Sequence, residues 1–168
     1  MQAISLLVEN KPGVLARITG MFTSRGFNIE SLTMAPAEEP GLTRITVLIA
    51  GCNENQRVQL VKQLEKIVHV VEAVDLSAVK MVPRELALVK IDVAAEQQIN
   101  FLNHVNAIGA HLVESAPPSY TVELVGDGDT LSEHISSLKK FGKLKVARSG
   151  MLAMVQGQKD AKVESVKS

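Results

Sequence analysis

Residues 3–34 read AISLLVENKPGVLARITGMFTSRGFNIESLTM, and the change of period inside this stretch decides the fold. Ala3 to Val8 is short, rich in leucine and β-branched residues, and stopped by the corner Asn10-Lys11-Pro12-Gly13, as a strand is. Val14, Leu15, Ile18, Met21 and Phe22 then fall at helical spacing, and Gly26 ends that helix. Asn28 to Met34 returns to a strand pattern and is closed by Pro36 and the loop PAEEPG. Strand, corner, helix and strand follow within one short segment.

The pattern continues outward. Thr43, Ile45, Val47 and Ile49 alternate with Arg44 and Thr46, predicting a third strand with one buried face. Asn53 is placed to cap a second helix whose stripe is Leu60, Val61, Leu64 and Ile67. Val70 to Leu76 supplies a fourth strand. SAVKMVPRE, with Pro83, marks a joint, and the order then repeats. Leu86–Val93 reads as a strand, and Ile99, Leu102, Val105 and Ile108 stripe a helix ended by Gly109. Ala110–Glu114 and Tyr120–Val125 read as strands separated by Pro117-Pro118. Thr130 and Glu133 have capping-box spacing before a helix carrying Leu131, Ile135, Leu138 and Phe141, which Gly142 stops. Leu144 to Val155 reads as one closing strand.

Two β-α-β-β-α-β units predict an α+β protein of two tandem ferredoxin-like sandwiches. The expected boundaries are 1–77, a linker at 78–83, a second domain at 84–156 and a disordered tail at 157–168, where periodicity ceases. The usual strand order of this fold, 4-1-3-2, puts Asn28–Met34 at a sheet edge, which invites pairing with another subunit.

Composition narrows the function. Lys plus Arg equals Asp plus Glu at 18 each, so no net field draws nucleic acid or an anionic membrane. Aromatics are 3% of residues, leaving little on which to stack bases. No apolar run approaches the roughly 20 residues that span a bilayer. The N-terminus reaches charge too early for a signal peptide, and one cysteine, Cys52, precludes an intrachain disulfide. A soluble cytoplasmic protein is expected.

Catalytic chemistry is missing from the pattern. His69, His104, His111 and His134 are scattered without metal-ligand spacing, and there is no nucleophile elbow, phosphate loop or dinucleotide fingerprint. Asp127-Gly128-Asp129 reads as a turn plus a helix cap, and Glu38-Glu39 as a solvated loop. Among hosts of this fold, a metallochaperone needs two cysteines in the first loop. An RNA-recognition module needs aromatics on its central strands, and an acylphosphatase needs a first-loop arginine. None is present.

The corner is the remaining candidate. A Pro-Gly before a helix leaves outward N–H groups at the positive end of the helix dipole, and glycine admits a ligand close to the main chain. That arrangement suits a carboxylate. The Asn10 amide offers oxygen to an ammonium and N–H to a carboxylate, so an α-amino acid fits. Val14, Leu15 and Ile18 are candidates for receiving an aliphatic side chain. A βα turn of this composition also occurs with nothing bound.

ENKPGVLARITGMFTSRGFNIESLTMA resembles the opening of an ACT domain, the ferredoxin-like sensing module of amino-acid metabolism. RGFNIESLTMAP with LTRITV, and later RELALVKI and KVARSGMLAM, is similar to the small, regulatory subunits of acetolactate synthase over residues 1 to about 156. Lys11 departs from the pattern of relatives whose residue there is acidic or small. The resemblance implies no catalytic site, a homodimer paired through second strands, and a large catalytic subunit as partner. That partner would use thiamine diphosphate, Mg2+ and FAD to condense two pyruvates, or pyruvate with 2-oxobutyrate, toward branched-chain amino acids. It further implies activation of the partner and feedback inhibition by valine. The implied valine site comprises Asn10, Gly13, Val14 and Leu15 of one chain with Asn28 and Ile29 of its mate. A free-standing ACT-type sensor of another enzyme or of transcription is the alternative.

Overall fold

A computed structural model describes residues 2–157. The expected tail therefore lies outside the described residues, apart from Gly157. Contacts divide the chain into two compact units, residues 2–82 together with 151–157, and residues 83–150.

In the first unit, β1 (Gln2–Glu9) leads through the corner into α1 (Val14–Ser24) and β2 (Asn28–Pro36). β3 (Leu42–Ala50), α2 (Glu54–Leu64) and β4 (Val70–Asp75) complete it, followed by a short 3-10 turn at Leu76–Ala78. The sheet order is β2-β3-β1-β4, with β2 at an edge. The pleat sends Ile4, Leu6 and Val8 to the face shared with Val14, Ile18 and Phe22 of α1 and Leu60 and Leu64 of α2. Burying each of these larger side chains contributes about 1.5–3 kcal/mol. Helix α2 starts where a capping box closes: Gln56 N–H donates to the Asn53 side chain, and the Gln56 side chain accepts from Asn53 N–H, both at 2.9 Å.

The opposite face of this sheet is also covered. Ala3, Val74 and Leu76 pack with Met151 and Ala153, and Thr46 is buried on the same side of β3. The expectation of a single buried face on that strand is corrected, because the chain returns after residue 150 to supply the second cover. The closing strand is accordingly two strands, β8 (Leu144–Arg148) and β9 (Leu152–Val155), interrupted at Gly150, whose φ is +82°. Residues 151–157 group with the first unit, not with the second as the sequence pattern suggested. Nor is 78–83 free linker: β5 (Met81–Asp92) already begins there, and β9 pairs with it.

The second unit continues from β5 with α3 (Gln98–Ala107), β6 (His111–Ala116), β7 (Ser119–Gly126), α4 (Gly128–Leu138) and β8. Its order is β6-β7-β5-β8, the same topology as the first. Two side-chain expectations change. Ile99 is 75% exposed while Phe101 is buried, because the ring packs on Tyr120 and Phe141 with centroids 5.1 and 5.6 Å away. The cap of α4 is Asp127, in line with the turn-plus-cap reading of Asp127-Gly128-Asp129, and not the capping-box Thr130; its Oδ1 accepts from the N–H of Asp129 and Thr130, and the Thr130 hydroxyl donates to Oδ2.

The second strands of the two units share one irregularity. A bulge interrupts the register between Ile29 and Ser31 of β2 and between Leu112 and Glu114 of β6. It leaves Glu30 or Val113 as the extra residue and makes both strands less regular than their sequences implied.

Candidate functional site

The corner begins where β1 runs out of partners. Asn10 N–H donates to Gly41 O at 2.8 Å, and Lys11 N–H turns back to Glu9 O at 2.9 Å. Gly13 takes φ +83°, a left-handed setting that glycine adopts readily, and forms the N-cap of α1. No side chain caps this helix and no acidic residue lies in its first turn. The Val14 N–H has only a long 3.4 Å contact with Lys11 O, while Arg17 N–H is the first to close a helical bond, to Gly13 O. The N–H groups of Leu15 and Ala16 thus carry the partial positive charge of the helix terminus without a side-chain acceptor. A carboxylate meets that need.

Asn10 and Gly13 are exposed, and a Cβ built at Gly13 has no atom within 4 Å. Val14 and Ile18 are buried beneath the helix, so of the three apolar candidates only Leu15, 36% exposed, remains at the surface. Val14 offers the corner its main chain and not its side chain.

Asn28 and Ile29 lie elsewhere. β1 and β3 pair with Glu9 opposite Leu42, and β2 and β3 pair with Asn28 opposite Ala50. Within one chain the corner and Asn28 therefore occupy opposite ends of the sheet. Asn28 is exposed at the start of the edge strand, while Ile29 is half-buried against the core. Three surface concavities lie at Arg25 and Gln59, at His104 and Lys140, and at Met34 and Arg44; none of these three includes Asn10–Leu15. A single chain brings the corner together but not the six candidate residues.

The sequence pattern did not reveal the electrostatics beside the corner. Glu9 Oε2 receives Lys11 Nζ at 2.6 Å and His69 Nδ1 at 3.0 Å. The hydrogen bond from Lys11 holds the Glu9 carboxyl below its usual range, and His69 acts in the same sense. Lys11 is engaged by its own chain at the corner. His69 reaches Glu9 from a left-handed backbone, φ +80°, and its carbonyl accepts the Glu9 N–H at 2.9 Å. His69 lies 60 residues from Glu9 in the chain, a contact that only the tertiary fold makes.

The remaining chemistry is sparse. Among the described residues no group of three His, Cys, Asp or Glu is placed to hold a metal, and no helix is long and apolar enough to cross a membrane. His104 Nε2 lies 2.8 Å from Ser137 Oγ, whose own proton goes to His134 O, so that pair is a structural contact between α3 and α4.

Comparison with known proteins agrees with this picture over both units. Residues 4–72 match the model of the AHAS small subunit-like ACT domain, and residues 84–157 match that of the small subunit of acetolactate synthase. The chain is 38% identical over 157 residues to the "Probable acetolactate synthase small subunit" of Methanothermobacter thermautotrophicus, covering 93% of each chain. It is 37% identical over 157 residues to the acetolactate synthase isozyme 3 small subunit of Salmonella typhimurium, covering 93% of this chain and 96% of that one. The crystal structure of the acetolactate synthase small subunit from Thermotoga maritima superimposes with a TM-score of 0.83 at 30% identity, covering 94% and 98% of the two chains. With two units of the expected topology and similarity along nearly its whole length, the chain belongs to the acetolactate synthase small-subunit family.

Proposed function

We propose that this chain is the regulatory subunit of an acetolactate synthase, raising the activity of a large catalytic subunit and making it sensitive to valine. The observation that carries the effector reading is the uncapped start of α1 at Gly13. Its free N–H groups suit the valine carboxylate, the exposed Asn10 amide suits the ammonium, and Leu15 lies beside them for the aliphatic part.

The register supports a site completed by a second chain. If two copies pair antiparallel through β2, Asn28 of the mate lies toward the Pro36 end of the strand. That is the Glu9 and Leu42 end of the sheet, where the corner sits. Asn10, Gly13, Val14 and Leu15 would then meet Asn28 and Ile29 of the partner chain. A site divided between subunits reports their relative placement. Valine shifts the complex only by binding two such placements unequally.

The chain's part is to bind, to pair and to transmit. The condensation itself belongs to the catalytic partner, with thiamine diphosphate, Mg2+ and FAD bound there.

Reconstitution tests this. The pure chain supplied with those cofactors and pyruvate should form no acetolactate. Added to a matching large subunit, it should raise turnover and confer inhibition by valine. Synthase activity in the pure chain, or a partner indifferent to it, sinks the proposal.

A further inference from the structure

Three consecutive residues join the two units, and each is held differently. Ser149 is fixed to β5 of the second unit: its N–H donates to Leu86 O at 2.9 Å, and its Oγ accepts from Leu86 N–H at 3.1 Å. Gly150 follows with φ +82° and carries no side chain. Met151 is fixed to β2 of the first unit: Thr33 Oγ1 donates to its carbonyl at 2.9 Å, and Ser31 Oγ accepts from its N–H at 3.4 Å. Met151 is also buried, packed in the cluster of Ala3, Val74, Leu76 and Ala153.

We infer that Ser31 and Thr33 are positioning residues that tie the effector-bearing edge strand to the second unit through the one-residue junction at Gly150. The inference rests on the effector reading above, in which β2 carries Asn28 and Ile29. A ligand that draws on Asn28 pulls a strand whose residues two and four positions beyond Ile29 grip the main chain of Met151. The bulge at Glu30 lies between Ile29 and the two grips, where β2 is least constrained by β3. Because Ser149 is bonded in both directions to Leu86, displacement of Met151 has a single residue in which to dissipate. Glycine in a left-handed setting permits two orientations across that residue without a side-chain clash.

Binding and response separate under this arrangement. In the dimer, Ser31→Ala with Thr33→Val removes both side-chain partners of Met151 while preserving shape at residue 33. Valine affinity measured by calorimetry should stay within about twofold of wild type. In the reconstituted holoenzyme, the valine concentration for half inhibition should rise by about fivefold or more, the lower end of ordinary coupling factors. Thr33→Ser, which keeps the donor, should restore the wild-type response. Two glycines inserted between Gly150 and Met151 leave every bond in place and should blunt inhibition in the same way. Wild-type inhibition in both the double variant and the insertion overturns the inference. A wild-type dimer that binds no valine overturns the effector reading, and this inference with it.

Discussion

Asn10 and Asn28 stand at opposite ends of one sheet: Asn10 N–H reaches Gly41 O beside Leu42, while Asn28 is registered against Ala50. Eight residues of β3 separate those levels, a rise of about 26 Å. No rotamer change in a single chain brings the two amides to one valine. The effector reading therefore stands or falls with a second copy.

Mixed dimers test that relationship. Asn28→Ala alone should weaken valine about 10- to 150-fold, as loss of a hydrogen bond to a charged group costs roughly 1.5–3 kcal/mol. Co-assembly of a Gly13→Asp chain with an Asn28→Ala chain leaves one composite site wild type and places both changes in the other. Calorimetry on that mixed dimer should show half the sites binding at wild-type affinity. A dimer with no tight site would mean that each chain holds a complete site.

Gly13→Asp probes the corner directly. The backbone there is at φ +83°, where aspartate is tolerated at some strain, and the built Cβ meets no neighbour. The new carboxylate lies at a helix start that lacks acidic residues, so folding should survive. Facing the ligand carboxylate at about 4 Å with an effective dielectric near 20, it opposes binding by on the order of 4 kcal/mol before screening, or roughly 1,000-fold. The expected holoenzyme assembles, is activated and ignores valine in a titration of acetolactate formation. Normal sensitivity would make the corner only a turn.

The cap at Asp127 sets a pH dependence. The Thr130 N–H, then its hydroxyl, hold the Asp127 carboxyl below its usual range. A lowered folded-state pKa means the contribution is present above the ordinary aspartate value, about 3.9, and is lost as pH falls through the lower folded value. Asp127→Ala should lower stability at neutral pH, as loss of a helix cap does. Asp127→Asn should keep most of the stability and flatten its acid limb. Denaturant unfolding at neutral pH and below about pH 4 distinguishes them.

Gly142 is required for space and not for a special backbone angle. A Cβ there would press into the carbonyl oxygen of Asp92 and crowd Ile91. Gly142→Ala should destabilise the second unit by about 1–3 kcal/mol, as overpacking does. Amide exchange should quicken in β5 and β8 and stay unchanged in β1 and β3. Uniform loss of protection would mean that the two units do not unfold separately.

Much of the architecture was legible because period and punctuation agreed. Both helices and all four strands of the first unit follow from alternation, Gly26 and Asn53, and the edge position of Asn28–Met34 from the usual strand order of the fold. Legibility failed where two residues satisfied one rule. Ile99 and Phe101 both fit a helical stripe, and the aromatic took the core because Tyr120 and Phe141 offered rings to meet. Asp127 and Thr130 both make good caps, and the earlier one won while the later became its donor. Ser149-Gly150 is a turn signal, but with apolar residues resuming at Met151 the run reads through as part of one strand. At the candidate site, the Pro-Gly corner and Asn10 were readable locally, but His69 joins Glu9 only through tertiary pairing of β4 with β1.

The return of Met151 and Ala153 to the first unit bears on how the chain emerges from the ribosome. An N-terminal domain ordinarily folds as soon as its own residues are clear of the exit tunnel. Here the sheet around Ala3 and Val74 keeps an apolar face open until the whole second unit has been translated and the last strand arrives. A nascent chain held before Met151 should therefore recruit holdase chaperones through its oldest segment, and release once residue 155 has emerged.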